Sequence, residues 1–275
     1  MEHDHVTVSP HAIYEALPIT SVEILPTHEA GFFFSWRLGD AFSATPPYTF
    51  VVQHAPTLDG PWEAISEELV DVYCWRDSRR RVGKAATHAY RITMTDGAGR
   101  HYASEAVMPY GDLPLREFLL ARDVIRRETL HARTLAGTRS RLWIVATYGT
   151  RCDVCLDPIT GQIRDAGCRK CHGTGFATPY FGPFDVWTTF STVQHGAAHD
   201  EVGGTKDDVA LSVRMIGSPR VKKNDVLEDC ASGRMYYVTA VANAAEIRRI
   251  PVIQQLSVRE AVTTDACYRL AGDSR

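Results

Sequence analysis

Residues 88–96, HAYRITMTD, decide the fold class of the N-terminal part of the chain, because apolar and polar side chains alternate along them as in a half-buried strand. The turn dipeptide Asp96-Gly97 ends that strand. Outward from it lie further short apolar or alternating runs separated by turn residues: VEILP (22–26), GFFFSWRL (31–38), YTFVVQHA (48–55) and VDVYCWR (70–76). Their spacing predicts a β-sandwich over residues 19–110, preceded by an N-terminal segment, residues 1–18.

The same strands resemble a fibronectin type III-like domain. The resemblance rests on Trp36 in an early strand, on Trp62 after a turn, and on the Tyr-x-aliphatic strand Tyr90-Arg91-Ile92. It implies that this strand is followed by a hairpin and a last strand, and it favours a binding or spacer module over a catalytic one. An unrelated β-sandwich stays open as the alternative.

Residues 111–148 are predicted to hold a helix and a connecting strand, RLWIVATYG (141–149). Asp112 is the expected N-cap, and Pro114 suits the first turn. One face is apolar: Leu115, Phe118, Leu119 and Ile125. The other is rich in arginine: Arg116, Arg122, Arg126, Arg127 and Arg133. We interpret that face either as a solvated surface with i,i+4 ion pairs or as a contact for phosphate or an acidic partner.

Residues 149–178 carry the most specific motif, two C-x-x-C pairs separated by twelve residues. The predicted metal ligands are Cys152, Cys155, Cys168 and Cys171. Two such turns can aim four thiolates at one ion, the donor set of a closed, structural Zn²⁺ site. The segment resembles a zinc ribbon or a rubredoxin-like knuckle pair, and the ligands alone leave iron open as the metal. His172 is expected to be a bystander.

The other candidate chemistry is weaker. Cys74, Cys230 and Cys267 are scattered and are predicted to be buried small apolar residues. His195 and His199 have the i,i+4 spacing of a metal pair on a helix, but the flanking glycines favour a loop. Since no nucleophile elbow, phosphate loop or dinucleotide fingerprint is present, the sequence predicts a protein that is not an enzyme. An enzyme that uses the loop with both histidines is kept as a third hypothesis.

The C-terminal residues, 179–275, are predicted to form a small antiparallel β-barrel. Its strand candidates are VALSVRMIG (209–217), KKNDVLEDC (222–230), GRMYYVTAVANAA (233–245) and IPVIQQLSVREAV (250–262). Together these parts give a mainly β fold class: a sandwich, a connecting helix, a four-cysteine knuckle pair and a barrel. An antiparallel barrel that is unrelated to any known family stays open as an interpretation of these strands.

This succession resembles the small barrel of tailed-phage head-to-tail joining proteins, carried by Asp225-Val226-Leu227, GRMYYV (233–238) and PVIQQL (251–256). The resemblance implies a bacteriophage virion structural protein of the neck, a head-tail connector or collar ring between portal and tail. It implies a homo-oligomer whose partners are portal and tail proteins, and assembly in the cytoplasm of the host bacterium. The Arg116–Arg133 helix would then contact the portal or the packaged DNA, and the fibronectin-like domain would form a collar.

Composition sets limits on these functions. The chain has 275 residues and a formal net charge of -3, so nucleic-acid binding would have to be local. The first residues lack the pattern of a signal peptide, and no apolar stretch has the length of a membrane span; we expect cytosolic synthesis and no membrane partner. The runner-up function is a cytosolic zinc-ribbon nucleic-acid-binding adaptor, in which the knuckle pair and the arginine-rich helix form one basic surface.

Overall fold

The structure is a computed structural model, and it describes residues 19–27, 31–39, 45–77, 87–111, 113–157, 159–165, 167–192, 211–248 and 250–273. The chain divides into two compact units. The first takes its described residues from 19–24, 34–77 and 87–111, and the second takes them from 25–33 and 113–273. Among the helices of these residues, none is long and apolar enough to cross a membrane.

The first unit consists of two β-sheets. Its strands are β1 (Ile19–Pro26), β2 (Phe32–Leu38), β3 (Thr49–Ala55), β4 (Glu63–Ala64), β5 (Leu69–Val70), β6 (Cys74–Arg76), β7 (Ala89–Thr95) and β8 (His101–Ala103). One sheet has the order β1-β2-β6; the other has the order β4-β3-β7-β8, with β5 also paired to β3. The last residues of β1 and the first residues of β2 belong to the second unit.

Aromatic side chains from both sheets form the core of the first unit. The Trp36 ring of β2 lies 5.4 Å from the Phe50 ring of β3, and the Phe50 ring lies 5.1 Å from that of Tyr73. Along β7, the alternation predicted from the sequence places Tyr90 and Ile92 in this core with no exposed surface. The predicted β-sandwich is therefore present.

The second unit is built on a closed β-barrel. Its elements are α1 (Leu115–His131), a π-helical turn (Ala132–Ala136), β9 (Thr138–Val145), β10 (Tyr180–Thr192), β11 (Leu211–Ile216), β12 (Val226–Asp229), β13 (Arg234–Ile247), β14 (Ile250–Glu260) and α2 (Cys267–Asp273). Six strands close in the order β10-β11-β14-β13-β12-β9, with every neighbouring pair antiparallel. The interior is apolar and includes Leu142, Val213, Leu227, Val238 and Leu256.

The barrel has two strands that the sequence pattern did not assign to it. The segment predicted as a connecting strand is β9, which pairs with both β10 and β12, so the barrel is not confined to residues 179–275. Strand β10 escaped prediction because Gly182-Pro183 interrupts its apolar pattern. The pairing with β9 shifts register between Phe181 and Phe184, and this bulge accommodates the interruption.

Helix α1 packs against β11, β13 and β14. Pro114 occupies its N-cap position without a side-chain capping bond, whereas the expected cap, Asp112, lies outside the described residues. The buried residues are Phe118, Ala121, Ile125 and Thr129. Leu115 and Leu119 are only partly buried, because the helix is rotated relative to the predicted apolar face.

Gln254 fixes the loop that follows β11, and its buried side chain makes three hydrogen bonds. Its Oε1 accepts from the Val221 amide at 3.0 Å, and its Nε2 donates to the carbonyls of Ile216 and Pro219 at 3.1 and 2.9 Å. Gln254→Ala leaves these buried backbone groups without partners and is expected to lower the free energy of unfolding by about 2 to 3 kcal/mol. Denaturant unfolding measures this.

Gln255→Ala is the matched control, because the neighbouring Gln255 is only partly buried and its amide bonds the Ser212 hydroxyl rather than the backbone. We expect the control to change the free energy of unfolding by less than about 1 kcal/mol. Equal effects of the two substitutions would contradict the role given to Gln254.

Candidate metal centre

The cysteine cluster lies in a long loop that joins two neighbouring barrel strands. Val145 of β9 pairs with Tyr180 of β10, so residues 146–179, here the knuckle loop, leave and rejoin the barrel at adjacent positions. Its only β pairing among described residues consists of isolated bridges, Arg151 with Phe176 and Leu156 with Ile163. A loop of this length without a core of its own needs another source of folding energy.

The structure brings the four predicted ligands together. The Sγ atoms of Cys152, Cys155, Cys168 and Cys171 all lie within 4.8 Å of one another, and the four residues form a buried cluster. Sulfurs at the zinc–sulfur distance of about 2.3 Å around a tetrahedral ion lie roughly 3.8 Å apart. The cluster therefore has the size and donor set of a four-thiolate metal site.

Backbone hydrogen bonds hold the two C-x-x-C turns in place. The Cys152 amide donates to the Gly175 carbonyl at 2.9 Å, and the Thr174 amide donates to the Cys171 carbonyl at 2.8 Å. The two turns are also joined by an ion pair between Asp153 and Lys170, which are exposed residues of the first and the second C-x-x-C pair. The ligands are thus positioned by the local backbone as well as by the ion they would bind.

The electrostatics of the four-cysteine cluster favour the binding of a positively charged ion. The hydrogen bond with Cys171 raises the pKa of the Cys155 thiol, and burial raises that of Cys171. Backbone amides of Cys171 and Lys170 donate to the Cys168 sulfur and lower its pKa to about 7. A dication must displace the protons that the cluster otherwise holds, so metal binding strengthens as pH rises.

Four sulfurs complete a tetrahedral shell and leave no open position for substrate or water, which is typical of a structural metal. Zinc and iron both fit this donor set. His172 contributes no ligand atom to the cluster. Its Nδ1 lies 3.3 Å from the Ala266 carbonyl oxygen, so the polar contact of the ring is with the backbone and not with the sulfurs.

The remaining predicted residues have mixed outcomes. Cys74 and Cys267 are buried as predicted, and Cys267 packs with Trp143 and Val226 on the outside of the barrel. Cys230 is exposed, so the prediction that it is buried was wrong; it follows the end of β12, where the chain turns away from the core. His195 and His199 lie outside the described residues.

The charged residues of the knuckle loop are largely paired. Arg164 donates to Asp157 at 2.8 Å, and this interaction is the main cause of the lowered pKa of Asp157. Lys170 is paired with Asp153 as described above. These pairs remove much of the positive charge that a nucleic-acid-binding ribbon would present.

Arginine remains in excess on helix α1. Its acidic residues are each bound by an arginine: Glu117 by Arg248, Asp123 by Arg127 and Glu128 by Arg214. Only the Asp123–Arg127 pair is the i,i+4 pair expected from the sequence. Over the part of the chain that is described, Arg116, Arg122 and Arg126 have no carboxylate within 4.0 Å, so the helix surface is positive.

Comparison of the chain with protein-family models finds no match, and a search of curated protein sequences finds none either.

Proposed function

We propose that the chain is a structural component of a tailed bacteriophage virion, a ring-forming protein of the neck between portal and tail. The observation that carries the proposal is the closed barrel built from the segments on which the head-to-tail resemblance rests. Val226 and Leu227 are fully buried in β12, Met235 is fully buried in β13, and Gln254 organises the loop at the end of β11. These segments are parts of one barrel rather than separate surface motifs.

Asp225, which begins the first of those segments, has a structural role. Its carboxylate accepts from the Val145 amide at 2.9 Å and from the Lys222 amide at 2.6 Å. Burial raises its pKa to about 7 despite these bonds. The carboxylate thus ties the end of β9 to the start of β12 and helps to close the barrel.

Ring formation would use the free side of β13. Strand β12 pairs with β13 only over Arg234–Tyr237, while β13 continues to Ile247. In the described part of the chain, no strand lies on that side of the remainder, and Ala240, Ala242 and Ala244 are exposed along it. An unpaired edge with small side chains can add a strand from a neighbouring copy.

Helix α1 would provide the surface that binds the partners of the ring. Leu120, Leu130 and Leu135, on the helix and on the turn after it, are more than half exposed. Together with the unpaired arginines they offer an apolar and positive surface, suited to an acidic portal face or to exiting DNA.

We expect the purified chain to form closed rings that bind tailless, DNA-filled heads through their portal. A double variant with Ala242→Lys and Ala244→Lys is expected to form no rings. Two lysines place positive charges on the free edge of β13, and these charges disfavour pairing with the strand that a neighbouring copy would add. Sedimentation velocity and negative-stain microscopy, with and without heads, measure both effects. Ala98→Lys, an exposed alanine in a turn of the first unit, is the matched control.

A chain that stays monomeric and does not bind heads would overturn the proposal. The DNA-binding adaptor is a separate outcome of the same preparation. It would appear as retention on DNA with a steep dependence on salt, and a slope near zero would exclude it.

A further inference from the structure

Three cations surround one cavity in the second unit. The cavity has a volume of about 800 Å³ and lies between the knuckle loop and the barrel. Arg151 enters it from the knuckle loop, Lys223 from the segment before β12, and Arg259 from β14. Among the described residues that line it, none is an aspartate or a glutamate.

The three cavity cations differ from the remaining arginines of the barrel strands, each of which is paired with a carboxylate. Arg139 pairs with Asp185, Arg141 with Glu228, Arg214 with Glu128 and Arg234 with Glu260. By contrast, none of the three cavity cations has a carboxylate within 4.0 Å among the described residues. Like charges facing one concave space raise the local concentration of anions and favour an anionic ligand.

Aromatic rings orient the two guanidinium groups. The Arg151 guanidinium carbon lies 4.6 Å from the centre of the Phe176 ring, and that of Arg259 lies 6.0 Å from the centre of the Tyr237 ring. A guanidinium held against a ring keeps its donor edge available for bidentate hydrogen bonds. Thr147 and Asn224 add neutral polar groups to the lining.

We propose that this cavity binds a phosphate-bearing ligand of nucleotide size. Guanidinium forks match the oxygens of a phosphate, and Lys223 adds a third positive charge. The volume lies in the range of small-molecule sites, and the rings of Phe176, Tyr180 and Tyr237 provide an apolar wall for the rest of the ligand. This binding site goes beyond the neck function and does not depend on it.

Isothermal titration calorimetry on the metal-loaded chain tests the proposal with adenosine monophosphate, adenosine and a single-stranded deoxythymidylate octamer. We expect the monophosphate to bind and adenosine not to bind. Arg151→Ala and Arg259→Ala should each weaken binding of the monophosphate by about 10- to 100-fold, the usual cost of a lost charge-assisted contact. Arg169→Ala, an exposed arginine of the knuckle loop outside the cavity, should change the Kd less than about twofold.

The octamer distinguishes the two sources of a phosphate group. Binding of the octamer at least as tight as that of the monophosphate identifies phosphates within a nucleic-acid strand, and preference for the monophosphate identifies a free nucleotide. The proposal is overturned if neither binds, if adenosine binds as well as the monophosphate, or if the two cavity variants bind like the unsubstituted chain. Metal content and thermal unfolding of each variant show that the fold is retained.

Discussion

Cys171→Ser is expected to abolish stoichiometric metal binding and to unfold the knuckle loop while the barrel persists. Cys171 has no exposed surface and its sulfur lies 3.1 Å from that of Cys155, so its loss breaks the cluster at its centre. In isolated zinc fingers at neutral pH, structural zinc contributes an apparent free energy of about 10 to 16 kcal/mol. The cysteine cluster is the one buried cluster that the described residues of the knuckle loop form. None of the described residues of this loop belongs to the apolar barrel interior.

Thiol labelling measures the effect. Among the seven cysteines only Cys230 is exposed, so one thiol should react rapidly in the metal-loaded chain. Removal of the metal with a chelator should expose the four cluster thiols as well. Cys230→Ser is the matched control and should keep one metal ion per chain. A Cys171→Ser variant that retains a full equivalent of metal would show that the cluster is not the binding site.

Gly217→Ala is expected to be the most damaging single methyl addition in the barrel. A Cβ at Gly217 would fall far inside van der Waals contact with the carbonyl group of Pro251, and it would lie 3.0 Å from the Val252 amide. The Gly217 amide donates to the Val252 carbonyl at 3.0 Å, so the two strands cannot separate without losing this bond. We expect a loss of about 3 to 5 kcal/mol in the free energy of unfolding.

Gly233→Ala is the control for Gly217→Ala, because it introduces backbone strain without steric overlap. Gly233 has a φ of +70° and open space around its Cα, so an alanine there is strained but meets no neighbour. This control should cost about 1 kcal/mol. Denaturant unfolding of both variants measures the difference, and a Gly217→Ala protein as stable as the control would contradict the close approach of the two strands.

Local patterns in the sequence were enough to predict the sandwich strands and the four cysteines that form the buried cluster. Alternation along β7 assigns Tyr90, Ile92 and Met94 to one face, because successive side chains of a strand point to opposite sides. Each C-x-x-C turn brings two cysteines of the cluster together in the same way, since each turn is a local structure. Both predictions depend only on residues that are close in the chain.

Features that depend on distant pairing could not be predicted in this way. Closure of the barrel requires β9 to pair with both β10 and β12, and no local pattern encodes those partners. The cavity cations Arg151, Lys223 and Arg259 come from three separate segments. Each looks like an ordinary surface residue in the sequence, and only the folded barrel shows that they surround one space.

Native mass spectrometry of the purified chain tests the central claim most directly, because one spectrum gives both the metal content and the number of chains. We predict a closed ring that carries one zinc or iron ion per chain, lost on acidification as the thiolates take up protons. A folded chain at the mass of the metal-free polypeptide would contradict the metal centre. A metal-loaded chain that is monomeric, alone and with heads, would contradict the ring.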